Sequence, residues 1–329
     1  MHNIKFLRDI PLTLLIPCLL IAFVAISPVI HLAIRGLGAN EDTWLWFLRW
    51  KTLEIVWKSM ALALSVTLFT TLIALPISFL TNKTDIKFRR VWKISSILPL
   101  VIPSYIGAYL FISVLGPKGI LYQILNNALN VEHIPNLYGF TGSVIIISLL
   151  SYPYTLLTIN ATINNTDISA EESAKVLGLN NFTIFRKITL PQLMPSILSG
   201  GLLVSLYTLS DFGAVSLLRY KTLTWAIFNQ YSGSIDRNAT ALLALSLCLL
   251  AIVFVYLESI FRTKRKQYRS SPGVSKASKV HKLGFWQIPS MIFCALVIFF
   301  SLIMPIAMLI FWVIRGLMHS ETVPGMLEA

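Results

Sequence analysis

Glu172-Ser173-Ala174-Lys175-Val176-Leu177-Gly178, followed after nine intervening residues by Ile188-Thr189-Leu190-Pro191, lies between two strongly apolar runs, 140–163 and 197–218. A bilayer-crossing helix needs about 20 mostly apolar residues, and each of these runs supplies them. The polar stretch between them is therefore expected to be a short structured loop held at a membrane face. Working outward, five more runs of the same kind appear at 11–33, 59–80, 94–115, 239–260 and 289–314. The first follows Lys5 and Arg8 but is longer than the apolar core of a secretion signal, so it is expected to be a retained span.

Composition agrees with this reading. The chain has 329 residues, 56% of them hydrophobic and 12% charged, with a mean hydropathy of +0.74. Those values exclude an ordinary soluble domain. The net charge of +13 would suit nucleic-acid binding if the cations formed one face, but they sit in short loops between apolar runs, so no nucleic-acid partner is expected. Membrane lipids are the expected surroundings. Cys18, Cys248 and Cys294 all lie inside apolar runs, where buried thiols rather than disulfides are expected. The five histidines are scattered without ligand spacing, so neither a metal site nor a cofactor is expected.

Charge also sets the orientation. With the N-terminus in the cytoplasm, the inner segments hold Lys5 and Arg8, then Lys83, Lys87, Arg89, Arg90 and Lys93, then Lys175, Arg186 and Lys187, and finally the cations of the 262–282 linker. That is about two thirds of all Lys and Arg, as the positive-inside rule requires. The 164–196 loop is thereby expected in the cytoplasm.

Local chemistry gives this loop a shape. Ser169 and Glu172 have capping-box spacing, and Gly178 suits the left-handed residue that ends a short helix. Asn180 or Asn181 should cap a second helix, which Pro191 should stop or redirect. Ala174, Val176, Leu177 and Phe185 give the pair an apolar side with no bilayer to face, and such a patch usually finds a partner.

The spacing E-x-A-x3-G-x9-I-x-L-P resembles the cytoplasmic loop signature of permease subunits of binding-protein-dependent ABC importers. Ser173 stands where that family usually has a second alanine. The resemblance, over roughly residues 50 to 260, implies that Glu172, Ser173, Ala174, Gly178, Ile188, Leu190 and Pro191 form the element that couples to an ATPase dimer. It also implies an external substrate-binding protein and a bacterial inner-membrane location. The chain has no G-x-x-x-x-G-K-[ST] phosphate loop, so it is not expected to be an enzyme, and ATP hydrolysis falls to a separate subunit.

Asp211 is the acidic residue expected deep within a span, about 21 Å along its helix at 1.5 Å per residue. A carboxylate there is a translocation-path candidate unless the helix breaks at Asp211-Phe212-Gly213 and the carboxylate caps the next turn of chain. The string Ser210-Asp211-Phe212-Gly213-Ala214, with Tyr220-Lys221-Thr222-Leu223-Thr224, resembles ferric-iron-type permeases. Thiamine, polyamine and inorganic-anion permeases share the general frame. A proton-coupled secondary carrier is the alternative from another class; it would need ionisable groups deep in several spans.

The expected architecture is all-α: a six-span permease domain over 1–260, a basic linker over 261–284, and one further span over 285–329. Ser27-Pro28 leading to Ile34-Arg35-Gly36-Leu37 is echoed by Met304-Pro305 leading to Ile314-Arg315-Gly316-Leu317. The echo suggests the opening of a second, parallel repeat. A second permease half, in the same or another chain, is the implied partner.

Overall fold

The computed structural model describes residues 12–117, 119–121, 137–163, 168–234, 236–263 and 281–318. Among them every regular element is helical, and the one β-type contact is an isolated bridge between Thr84 and His281. The chain divides into two compact units. One comprises residues 1–57 and 223–250, the other residues 58–222 and 251–329.

Six of the seven expected spans are helices long and apolar enough to cross a membrane. α1 (Leu12–Leu37) is followed by the short α2 (Glu41–Phe47) and the long α3 (Trp50–Lys83). The run at 94–115 departs from expectation. It is a bent pair, α4 (Arg89–Ser95) with a 3-10 turn at Leu98–Val101, then α5 (Ser104–Leu115), and its two arms meet at 101°. Pro103 is the physical cause. It carries no N–H to continue a helix and drives the preceding Ile102 to an extended backbone, φ −86° and ψ 113°.

α6 (Phe140–Ile163) runs through the core of the second unit. Its Val144, Ile147 and Leu150 pack with Leu62, Val66, Phe111 and Val204, while Tyr152, Leu156 and Ile159 pack with Ala74, Ile77, Leu193 and Cys294. Then come α7 (Ile168–Val176), α8 (Asn181–Ile184), a π-wound segment Phe185–Thr189 and α9 (Leu190–Ser210). Small residues let α9 approach its neighbours closely. A Cβ on Gly200 would lie 2.8 Å from the Thr155 Cα of α6, and one on Gly201 2.9 Å from the Thr67 Cγ2 of α3.

α10 (Gly213–Leu217), α11 (Leu223–Gly233) and α12 (Arg237–Thr263) come next. In the first unit Leu223, Ala226 and Leu243 pack with Trp46, Phe47, Ile55 and Val56. The last span is α13 (Gln287–Ile298), a π-wound turn Phe299–Ile303 and α14 (Met304–Met318). The body of the 261–284 linker lies outside the described residues. All three cysteines are free, but Cys18 is exposed on α1 rather than buried, because α1 turns most of its apolar surface outward.

Candidate functional site: the polar loop and the break at Asp211

α7 ends as its sequence dictates. Gly178 sits at φ +80°, the Leu179 N–H donates to the Ala174 carbonyl at 3.1 Å, and the Gly178 N–H donates to that of Lys175 at 3.0 Å. This pair of bonds is the Schellman closure, and a left-handed residue without a Cβ makes it cheaply. Asn180, of the two candidate asparagines, is the cap of α8, its Oδ1 accepting from the Thr183 N–H at 2.8 Å. The Ser169 side chain of the expected capping box lies outside the described residues.

Pro191 does not stop the second helix. It lies in the first turn of α9, and helix runs from Asn181 to Ser210. The wider π turn just before the proline relieves the carbonyl clash that would otherwise break the helix.

The apolar side also differs in composition from expectation. Val176 and Leu177 are 88% and 80% exposed, joined by the exposed Phe182. Ala174 instead turns inward, three residues after the buried Glu171 and on the same helical face. Phe185 packs edge-on against Phe79 of α3, with ring centroids 5.6 Å apart. Of the remaining motif residues, Ser173 and Pro191 are exposed, and Glu172, Ile188 and Leu190 are half-buried.

Sequence reasoning passed over Glu171. Its carboxylate is 8% exposed and accepts from the Thr189 hydroxyl at 2.9 Å, joining α7 to the π-wound segment. The Lys83 ammonium and the His281 imidazole lie within its electrostatic reach. Burial, with the cations of Lys175 and Lys83, holds the His281 pKa below its ordinary value against the opposing pull of Glu171. Beneath this group a polar lattice ties α3 to α6. Ser78 Oγ and Asn82 Nδ2 both donate to Asn160 Oδ1, at 2.6 and 2.7 Å. Arg89 donates to the Thr81 and Asn82 carbonyls and Lys93 to Asn82 Oδ1, so two cations of α4 bind the end of α3, where unsatisfied carbonyls and the helix dipole favour them.

At Asp211 the helix breaks. Its backbone is extended, φ −71° and ψ 118°, and Oδ1 accepts from the Ala214 N–H at 2.9 Å, capping α10. Phe212 is half-buried. Gly213 presses against α5, where a Cβ would lie 2.6 Å from Tyr105 Cβ. The Ser104 hydroxyl, in the first turn of α5, faces both the Asp211 carboxylate and the Tyr207 phenol, and Tyr207 packs on Tyr154 with ring centroids 5.4 Å apart. The broken run at Pro103 and the break at Asp211 therefore meet. Glu258, near the end of α12, accepts from Ser199 of α9 at 3.2 Å.

Comparison with known proteins bears on both places. The chain is 31% identical over 308 residues to the Fe(3+)-transport system permease protein FbpB 2 of Haemophilus influenzae, covering 93% of this chain and 56% of that one. It is 32% identical over 167 residues to the spermidine/putrescine transport system permease protein PotB of the same organism, covering 50% and 58%. The chain thus spans about half the length of the curated relatives it matches. Among solved structures, a chain of a bacterial alginate ABC transporter, crystallised with an alginate pentasaccharide-bound periplasmic protein, superposes with a TM-score of 0.61 at 17% identity, over 80% of this chain and 98% of that one. That likeness concerns the fold. The family model for the inner membrane component of binding-protein-dependent transport systems matches residues 74–267, from within α3 past the end of α12 and across both the loop and the Asp211 break, and the chain belongs to that family.

Proposed function

We propose that this chain is the membrane-spanning half of an ATP-driven importer, with its N-terminus in the cytoplasm and the 164–196 loop docking on an ATPase dimer. The observation that carries the reading is the exposed Val176-Leu177 pair at the end of a helix closed by Gly178. Apolar side chains on a rigidly ended loop outside the bilayer serve a protein partner. Glu172, Ser173, Ala174, Gly178, Ile188, Leu190 and Pro191 supply or brace that surface. Substrate arrives from an external binding protein, and a second permease half completes the path, whose first span is the 285–329 segment of a second repeat.

The substrate is ferric iron in this reading, supported by the 31% identity to the Fe(3+)-transport permease over nearly the whole chain. The path passes the paired helix breaks, where Asp211, Phe212 and Gly213 hold the opening against α5. Discontinuous helices are where transporters expose polar backbone without leaving it in lipid.

Reconstitution with the cognate ATPase and binding protein tests the reading. ATP-dependent uptake of Fe(3+), with spermidine and molybdate as competitors, is expected, and Gly178→Asp or Glu172→Lys should abolish both uptake and ATPase co-purification. Uptake that survives ATP depletion but collapses with the proton gradient would sink it.

A further inference from the structure

Residues 79–85, at the end of α3, are gripped from two sides. On the loop side Phe185 packs edge-on against Phe79, and the Glu171 carboxylate, bonded to Thr189, faces the buried Lys83. On the other side the segment entering the last span is laced to the same residues. The His281 N–H donates to the Lys83 carbonyl at 2.8 Å, and the Asp85 N–H donates to the His281 carbonyl at 3.2 Å. Thr84 and His281 form the parallel bridge, the Leu283 N–H donates to Asp85 Oδ1 at 2.8 Å, and the His281 ring stacks on Phe79 at 6.1 Å. The Phe79 ring thus packs perpendicular to a ring of the loop and stacks on a ring at the entry of the last span.

We propose that residues 79–85 are a positioning link that carries displacement of the ATPase-docking loop directly into the last span, through Phe79 and the backbone clasp between Thr84-Asp85 and His281–Leu283. The proposal rests on the importer reading above. In that reading the last span opens the second repeat, so the link would couple the docking loop of one half to the membrane helix of the other within one chain. Movement passes because each joint is stiff. The clasp is a set of short backbone bonds, Lys83 is fully buried, and the lattice of Asn82, Asn160 and Arg89 holds the end of α3 against α6. Transmission through packed and hydrogen-bonded elements needs such discrete joints, and it is established only by showing that loosening one changes the response at the far side. Asp85 is the joint to loosen, since it is exposed and stands outside the docking surface.

The test uses the complete transporter, reconstituted with its ATPase, in a background lacking the native thiols (Cys18→Ser, Cys248→Ala, Cys294→Ala). Probes sit at Lys187→Cys on the loop and at Ile288→Cys, an exposed position on α13. In the parent both probes should change accessibility between the nucleotide-free and the vanadate-trapped state. Asp85→Ala and Phe79→Leu should leave the Lys187 response and ATPase co-purification intact while weakening the Ile288 response about fivefold or more, the low end of an allosteric coupling. Asp85→Asn, which still offers an acceptor to Leu283, should restore it.

An Ile288 response unchanged in both variants overturns the link, as does a parent in which only the Lys187 probe responds. Loss of both responses in the variants also overturns it, because residues 79–85 would then serve docking itself. A parent in which neither probe responds to nucleotide, or which retains no ATPase, refutes the importer reading and the link with it.

Discussion

Two carboxylates of this chain are equally hidden, Glu171 at 8% exposure and Asp211 at 7%, and they do opposite jobs. Asp211 turns back on its own backbone, accepting from an N–H three residues on, with the Ser104 hydroxyl of α5 beside it. Glu171 reaches across the loop to a hydroxyl 18 residues away and faces a buried lysine from a third helix. A carboxylate that caps its own turn ends one helix and starts another, and asparagine can take over that cap. A carboxylate shared among three elements fixes their mutual positions, and losing it strands every partner. Depth in an apolar sequence does not separate the two cases; a bond from the backbone N–H of its own turn marks Asp211.

Glu171→Ala should therefore be the most damaging change. It leaves the Thr189 hydroxyl without its acceptor and takes away the carboxylate that the Lys83 ammonium faces. Leaving the buried partner of a charged acceptor unsatisfied costs about 2 kcal/mol. Thermal unfolding in detergent should register that loss, and Glu171→Gln, which still accepts from Thr189, should recover part of it. The neighbouring Glu172→Ala, at a half-buried position, should cost much less stability while still weakening ATPase association. Equal stability for Glu171→Ala and Glu172→Ala would end the distinction between clasp and docking surface.

That distinction also marks what could be read in advance. Gly178 and Asn180 obey rules that act within a few residues, so their roles in ending one helix and capping the next were legible. So were the apolar runs. Which of two adjacent glutamates turns inward was not, because it depends on a π-wound turn at Phe185–Thr189 that no periodicity announces. Nor does a lone X-Pro pair say whether a span kinks or folds through 101° at Pro103. At Asp211 the residues framed the helix break, and the extended backbone with the bond from the Ala214 N–H shows it. Residues 281–283 carried no signal, because their partners at 83–85 lie about 200 positions away.

Asp211 supplies the second test. Removing an N-terminal cap costs about 1 kcal/mol, whereas asparagine caps as well as aspartate. Asp211→Ala should thus lower stability by about that amount and impair uptake with ATPase binding intact, because the break beside α5 loses its shape. Asp211→Asn should transport like the parent. If Asp211→Asn transports as poorly as Asp211→Ala at unchanged stability, the charge itself serves the path and the contrast with Glu171 fails.

The smallest effect is one of pH and concerns the far rim of the Glu171 group. His281 faces the Glu171 carboxylate and the Lys175 and Lys83 cations, and burial with those cations lowers its pKa below the ordinary 6.5. The folded state then binds a proton less readily than the unfolded chain, so the unfolded chain takes up more protons as the pH falls through 6.5. Stability from this residue is complete above that value and declines below it, levelling off once the folded protein is protonated too. His281→Phe keeps a ring to stack on Phe79 but cannot titrate. Its unfolding midpoint should track the parent at pH 8 and exceed it below pH 6, the difference isolating His281 from the carboxylates that titrate in both proteins. A parent that gains stability over His281→Phe on acidification would mean that Glu171 outweighs the two lysines at this ring. The carboxylate would then hold the entry of the last span by charge as well as holding α7 by its bond to Thr189.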